Sequence, residues 1–302
     1  MPDASVTGAL SRVRLFVNQG SPAARQADAW KSSRPADAAK MRYIAQQPVA
    51  TWLGNWTSNV RNAVNGLVSQ ASSQGAVPVL VAYDIPDRDC GSYSAGGAGD
   101  AATYSKWIRD FANGLSGRKA IVVLEPDAVA QSSCLSSAAR DVRFSMLRNA
   151  VSTLKQAGAY VYLDAGNAHW VSATEMASRL RQAGIEQADG FSLNVSNFFS
   201  TADNVAYGNS LSRLLGGKHY VIDTGRNGVG GTADRQWCNP GGQALGVAPT
   251  TQTGMSSVDA FLWIKQPGES DGTCNGGPKA GQWWPEYALG LAQRITQLAS
   301  AN

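Results

Sequence analysis

The chain of 302 residues has only two histidines, no closely spaced cysteine pair and no basic run. Each shortage removes a class of chemistry. Neither His169 nor His219 has a companion at metal-ligand spacing, and the four cysteines form no CxxC pair. A zinc ribbon or hydrolytic metal centre is therefore not expected, and no metal or cofactor is assigned. A serine–histidine triad lacks its GxSxG elbow, and the first strand–helix junction lacks GxGxxG. The net charge is a small +4, with the basic side chains scattered, so no nucleic-acid partner is expected. No apolar stretch reaches the roughly 20 residues that span a bilayer, so no membrane partner is expected either. The polar opening Met1-Pro2-Asp3-Ala4-Ser5 has no signal-peptide pattern. If the protein is secreted, the expectation is that its signal has been removed.

What is present is aromatic and apolar. Hydrophobic residues make up 43% of the chain and tryptophan occurs nine times, enough for a core and for a surface platform of indole rings. Short β-branched runs recur at 12–17, 49–53, 77–83, 120–124, 159–163, 190–194, 219–222 and 260–264. Helix-compatible segments separate them at 22–45, 56–73, 101–115, 137–157, 172–183, 203–215 and 285–300. Strands alternating with helices predict parallel βαβ units. The fold class expected is α/β, a distorted and partly open parallel β/α barrel of TIM-like type with seven or eight strands. Residues 1–302 read as a single catalytic domain. Within it, 225–256 and 267–282 are long Gly- and Pro-rich loops, which in a compact domain usually carry function.

The cysteines at 90, 134, 238 and 274 allow three pairings. Joining neighbours along the chain gives Cys90–Cys134 and Cys238–Cys274, each loop contributing roughly 4 kcal/mol. Two such bridges imply an oxidising compartment. Four buried free thiols in a cytosolic enzyme are the alternative.

Candidate chemistry sits at the strand ends. The six runs from 77–83 onward lead into Tyr83-Asp84-Ile85-Pro86-Asp87-Arg88-Asp89, Glu125-Pro126-Asp127, Asp164-Ala165-Gly166-Asn167, Asn194-Val195-Ser196-Asn197, Asp223-Thr224-Gly225-Arg226-Asn227 and Lys265 through Gly272. Any one of these could be a helix cap. In a parallel barrel, however, all six share the C-terminal rim where active sites form. Paired carboxylates beside tryptophans suit glycoside hydrolysis. One acid protonates the leaving oxygen, an opposed carboxylate assists water, and indole faces stack on sugar rings. The Asp84/Asp87/Asp89 group does not match a calcium loop.

The stretches YDIPDRDCG (83–91), VVLEPDA (122–128), LDAGNAHW (163–170), NVSN (194–197), DTGRNG (223–228), WCNP (237–240) and WIKQPGESDG (263–272) resemble glycoside hydrolase family 6. These are cellobiohydrolases and endoglucanases that cut β-1,4-glucan with inversion. The resemblance implies Asp127 as general acid, Asp89 as the neighbouring aspartate that raises its pKa, and Asp271 as the base. It implies that Tyr83 crowds the sugar at the cleavage point. Lys265 and Glu269 fall at sugar-contacting positions, with Asn167 and Asn197 beside them in the cleft. Trp52, Trp170 and Trp237 match aromatic platforms, and Asp164 matches a supporting aspartate. The family pairing of cysteines is Cys90–Cys134 and Cys238–Cys274. One departure stands out: many relatives carry histidine where this chain has Asn167.

Only 35 residues separate Cys238 from Cys274. A short loop there leaves a cleft open, which predicts an endoglucanase acting on β-1,4-glucan or cello-oligosaccharides; the enzyme is expected to be secreted and monomeric. A processive cellobiohydrolase of the same family and a non-catalytic glucan-binding protein are the alternatives.

Overall fold

The computed structural model describes residues 8–299. Its centre is a seven-stranded sheet made of β1 (Thr51–Leu53), β2 (Val79–Ala82), β3 (Ile121–Leu124), β4 (Tyr160–Asp164), β5 (Gly190–Leu193), β6 (His219–Asp223) and β7 (Val258–Leu262). Every neighbouring pair is parallel, and the spatial order equals the chain order. That order has a geometric consequence. Right-handed crossovers that never reverse direction put all connecting helices on one face. The other face is buried only if the sheet curls around itself.

Alternation along the strands serves both faces. Leu80, Ala82, Val122, Leu124, Val161, Leu163, Phe191, Leu193 and Ile222 pack outward under the helices. Val79, Val81, Ile121, Val123, Tyr162, Val221, Ala260 and Leu262 fill the interior with Leu10 and Ala50. Between β1 and β7 the barrel is joined by little more than a parallel bridge from Val49 to Trp263 and by the Trp52 indole, whose Nε1 donates to the Ile264 carbonyl at 2.7 Å. The barrel is thus curled but not fully closed, as expected for the fold class.

The helices are α1 (Pro22–Trp30), α2 (Pro35–Ala45), α3 (Val60–Ser73), α4 (Ala101–Leu115), α5 (Ser137–Gln156), α6 (Ala173–Gln182), α7 (Thr201–Leu214) and α8 (Pro285–Ala299). Asn59, Asp100, Ser136, Ser172 and Ser200 cap the N-termini of α3 to α7, each accepting a backbone N–H three residues on. A cap of this kind contributes about 1 kcal/mol and explains why each helix starts where it does.

Two expectations are corrected here. The 12–17 run is not a strand; it adds only a parallel bridge from Leu15 to Val77 at the edge of β2. The 22–45 segment is two helices, because Pro35 has no N–H to continue α1 and instead opens α2.

Candidate active site

Strand ends and left-handed backbone coincide at the C-terminal rim. Asp87, Asp89, Glu125, Asp127, Asn194 and Ser196 all have φ between 49° and 70°. Such backbone costs energy in non-glycine residues and persists only when its surroundings hold it. Here the holders are buried carboxyls at strand ends. Glu125, after β3, accepts from the N–H groups of Asp84 and Ile85 after β2, at 3.0 and 3.1 Å. Asp164, ending β4, accepts from Asp127 N at 2.9 Å, from Gly166 N at 3.0 Å and from the Ser192 hydroxyl at 3.1 Å. Asp223, ending β6, accepts from the N–H groups of Ser196, Gly225, Ile264 and Lys265. Each acid fastens the loop of a neighbouring strand, so the rim is stitched from beneath.

Above this layer lies a cleft of about 420 Å³. Of the residues singled out from sequence, Trp52, Tyr83, Asp89, Asp127, Asn167, Trp170, Asn197, Trp237, Lys265 and Asp271 line it together. Asp164 and Glu269 do not. Asp164 is fully buried below Asp127, and Glu269 lies behind Lys265, with 3.9 Å between Oε2 and Nζ.

Asp127 has its carboxyl pushed well above the usual carboxylate range, first by burial, then by the like charges of Asp164 and Asp89. Asp89 is held by the Ser94 N–H at 2.7 Å and by the Gln131 side-chain amide at 3.1 Å. Gln131 also donates its backbone N–H to the Asp127 carbonyl at 2.8 Å. The Cys90–Cys134 disulfide joins the 3₁₀ turn Asp89–Gly91 to the one at Ala130–Cys134, so covalent chemistry keeps the two aspartates side by side.

Across the cleft, Asp271 accepts from both terminal nitrogens of Arg226, at 2.9 and 3.0 Å, and from the Asn239 N–H at 3.0 Å. Arg226 and Asp271 are both buried. The Cys238–Cys274 disulfide fastens this corner next to Trp237. Tyr83 stands on the floor, edge to face with Trp52 at 5.2 Å, under the Arg88 guanidinium at 4.4 Å. Trp170 and Trp237 line the cleft and remain about 40–45% exposed. Tyr93, after β2, packs on Gly272 and lies 6.0 Å from Trp237, so the two walls meet there.

Sequence reasoning did not single out Ser92, Ser94, Gln131, His169, Val195, Ser196, Phe199 or Arg235 as site residues, nor Arg226 as the partner of Asp271. Arg226 carried a signal: it follows Asp223 by three residues in the stretch DTGRNG, a cation at a strand end on a mostly acidic rim. His169 also carried one, standing in the stretch LDAGNAHW, as did Val195 and Ser196 in NVSN; the other lining residues carried none beyond lying in loops after strands.

A profile described as "Glycosyl hydrolases family 6" matches residues 10–295. The chain belongs to this family. Among family members, "Endoglucanase A" of Cellulomonas fimi is 47% identical over 267 residues, covering 88% of this chain and 58% of the relative. "Endoglucanase 1" of Streptomyces halstedii is 44% identical over 275 residues, covering 87% of this chain and 84% of the relative. The chain thus spans little more than half the length of the first of these. The endoglucanase Cel6 from Mycobacterium tuberculosis, solved with methyl-cellobiosyl-4-deoxy-4-thio-β-D-cellobioside, superposes with a TM-score of 0.90 at 44% identity, covering 95% of this chain and 99% of that one. The catalytic core of a cellobiohydrolase from Chaetomium thermophilum reaches 0.83 at 26% identity, with 95% and 98% coverage. The family fold therefore serves both endo- and exo-acting enzymes.

Proposed function

We propose that the protein hydrolyses β-1,4-glucosidic bonds within cellulose and related β-glucans, with inversion, and that Asp127 is the general acid. The observation that carries this reading is the position of Asp127: a carboxyl raised by burial and by Asp164 and Asp89, in a cleft walled by Trp52, Trp170 and Trp237. A raised pKa keeps a proton available for the leaving oxygen near neutral pH. Asp89 lies beside Asp127 and sustains that shift. Asp271 is the opposed carboxylate. Arg226 and the Asn239 N–H fix the orientation of its carboxylate at the cleft wall, where it can take a proton from the attacking water. Tyr83 crowds the sugar at the point of cleavage, while Lys265 and Asn197 offer hydrogen bonds along the chain.

The endo mode is supported by the exposure of Trp170 and Trp237 and by the short connection between Cys238 and Cys274. Where the walls meet, they do so through the Tyr93 side chain rather than a long roof. Two disulfides support a secreted enzyme working in an oxidising compartment.

The test follows viscosity and reducing ends of carboxymethylcellulose for the parent and Asp127→Ala. A fast viscosity drop with few new ends, reduced about 10²-fold or more in the variant, is expected. Reducing ends that accumulate without a viscosity drop would replace the endo reading with an exo one. No hydrolysis by the parent would remove the hydrolase reading.

A further inference from the structure

The loop after β4 divides two tasks between Asn167 and His169. Asn167 is 5% exposed, and its side-chain oxygen accepts the His169 N–H at 3.0 Å. The Asn167 carbonyl accepts from Trp170 N at 3.3 Å. Asn167 therefore shapes the turn that presents the next residues. His169, the product of that turn, lines the cleft beside Trp170.

The imidazole is held from two sides. Its ring lies 4.5 Å from that of Phe199, tilted by 57°, and Nε2 stands 3.6 Å from the Asp203 carboxylate. The second distance is too long for a hydrogen bond and describes a charge contact. Neither contact takes up a ring nitrogen by a hydrogen bond, so the imidazole can still exchange one with a ligand. A neutral or charged imidazole can exchange a hydrogen bond with a sugar hydroxyl, and Trp170 next to it supplies a stacking face.

We propose that His169 is a sugar-binding residue of this cleft, contacting a glucosyl hydroxyl at the Trp170 end, with Asn167 as its positioning residue. The proposal rests on the glucan reading of the site and deepens it. Asp203 and Phe199 orient the ring; neither needs to touch the glucan.

The experiment measures cellohexaose binding by tryptophan fluorescence, together with KM and kcat, for the parent, His169→Ala, His169→Gln and Asn167→Ala. Losing one well-placed hydrogen bond should weaken binding about tenfold and raise KM alike, with kcat within about twofold. His169→Gln, which keeps a hydrogen-bonding group, should recover part of that loss. Asn167→Ala should weaken binding and also lower the melting temperature. If His169→Ala binds cellohexaose within about twofold of the parent, the proposal is overturned, whatever its effect on melting. A parent that binds cellohexaose without cutting it sinks the hydrolase reading alone, and the binding comparison still decides the role of His169. A parent that does not bind it sinks both.

Discussion

The backbone N–H of Asp127 donates to Oδ2 of Asp164 across 2.9 Å, so the group that fixes the acid's backbone is also the nearest like charge beneath it. Position and acidity are therefore set by one residue. Asp164→Asn removes the charge and keeps one oxygen to accept the N–H. Without that charge Asp127 gives up its proton more easily, so the alkaline limb of kcat/KM moves to lower pH. The hydrogen-bond rearrangement should lower stability by about 1 kcal/mol. A pH–rate profile of the variant checks this, and an unchanged or alkaline-shifted limb would show that Asp164 does not act on Asp127 by charge.

The Arg226–Asp271 pair makes a second prediction. Both partners are buried, and each is the other's main counter-charge. Arg226→Ala leaves a carboxylate in the rim without its partner and should cost about 3–5 kcal/mol of stability. Removing Asp271 as well takes away the stranded charge, so the double variant should be less destabilised than the sum of the two singles. Denaturant midpoints for all four proteins provide the measurement. Strict additivity would mean that the pair is not coupled.

Stability should fall as pH rises across the neutral range. Burial pushes Glu125 up to about 8 and Asp84 up to about 6, and it raises Asp223 as well. A carboxyl raised in the folded state stays protonated there while its unfolded counterpart has already ionised. The unfolded chain then binds fewer protons, and stability declines from about pH 4 up through the folded pKa values. Asp100, Asp234 and Glu286 are shifted the other way, and their influence lies on the acid side of this window. Melting temperatures at about pH 5 should exceed those at about pH 8; a rise toward the higher pH would contradict the burial argument.

Much of this architecture is legible in the sequence. Alternating β-branched runs and capped helices announce the parallel α/β barrel, and polar, mostly acidic groups after six strands announce its rim. The same pattern cannot say which acids face the cleft. Asp127, Asp164 and Asp223 all follow apolar strands, yet of these three Asp127 lines the cleft, while the others accept backbone N–H groups below it. That distinction depends on which side of the pleat each side chain leaves and on loop geometry beyond the strand. The 12–17 run misleads because its residues pack as one bridge at the barrel edge, a tertiary outcome that local propensity does not encode.

The two disulfides should separate in their effects. Cys90–Cys134 spans 44 residues and holds Asp89 next to the Asp127 segment; Cys238–Cys274 spans 36 and holds Trp237 next to Asp271. By loop entropy alone, each contributes about 4 kcal/mol, with little difference between them. Their local consequences differ. Opening Cys90–Cys134 with paired alanines frees the turn that keeps Asp89 against Gln131, so the charge that helps raise Asp127 is less well placed and kcat should fall. Opening Cys238–Cys274 loosens a platform tryptophan, so KM should rise more than kcat falls. Both double variants should melt at similarly lower temperatures. Equal changes in kcat and KM for the two variants would show that the bridges act on the fold as a whole and not on the two walls separately.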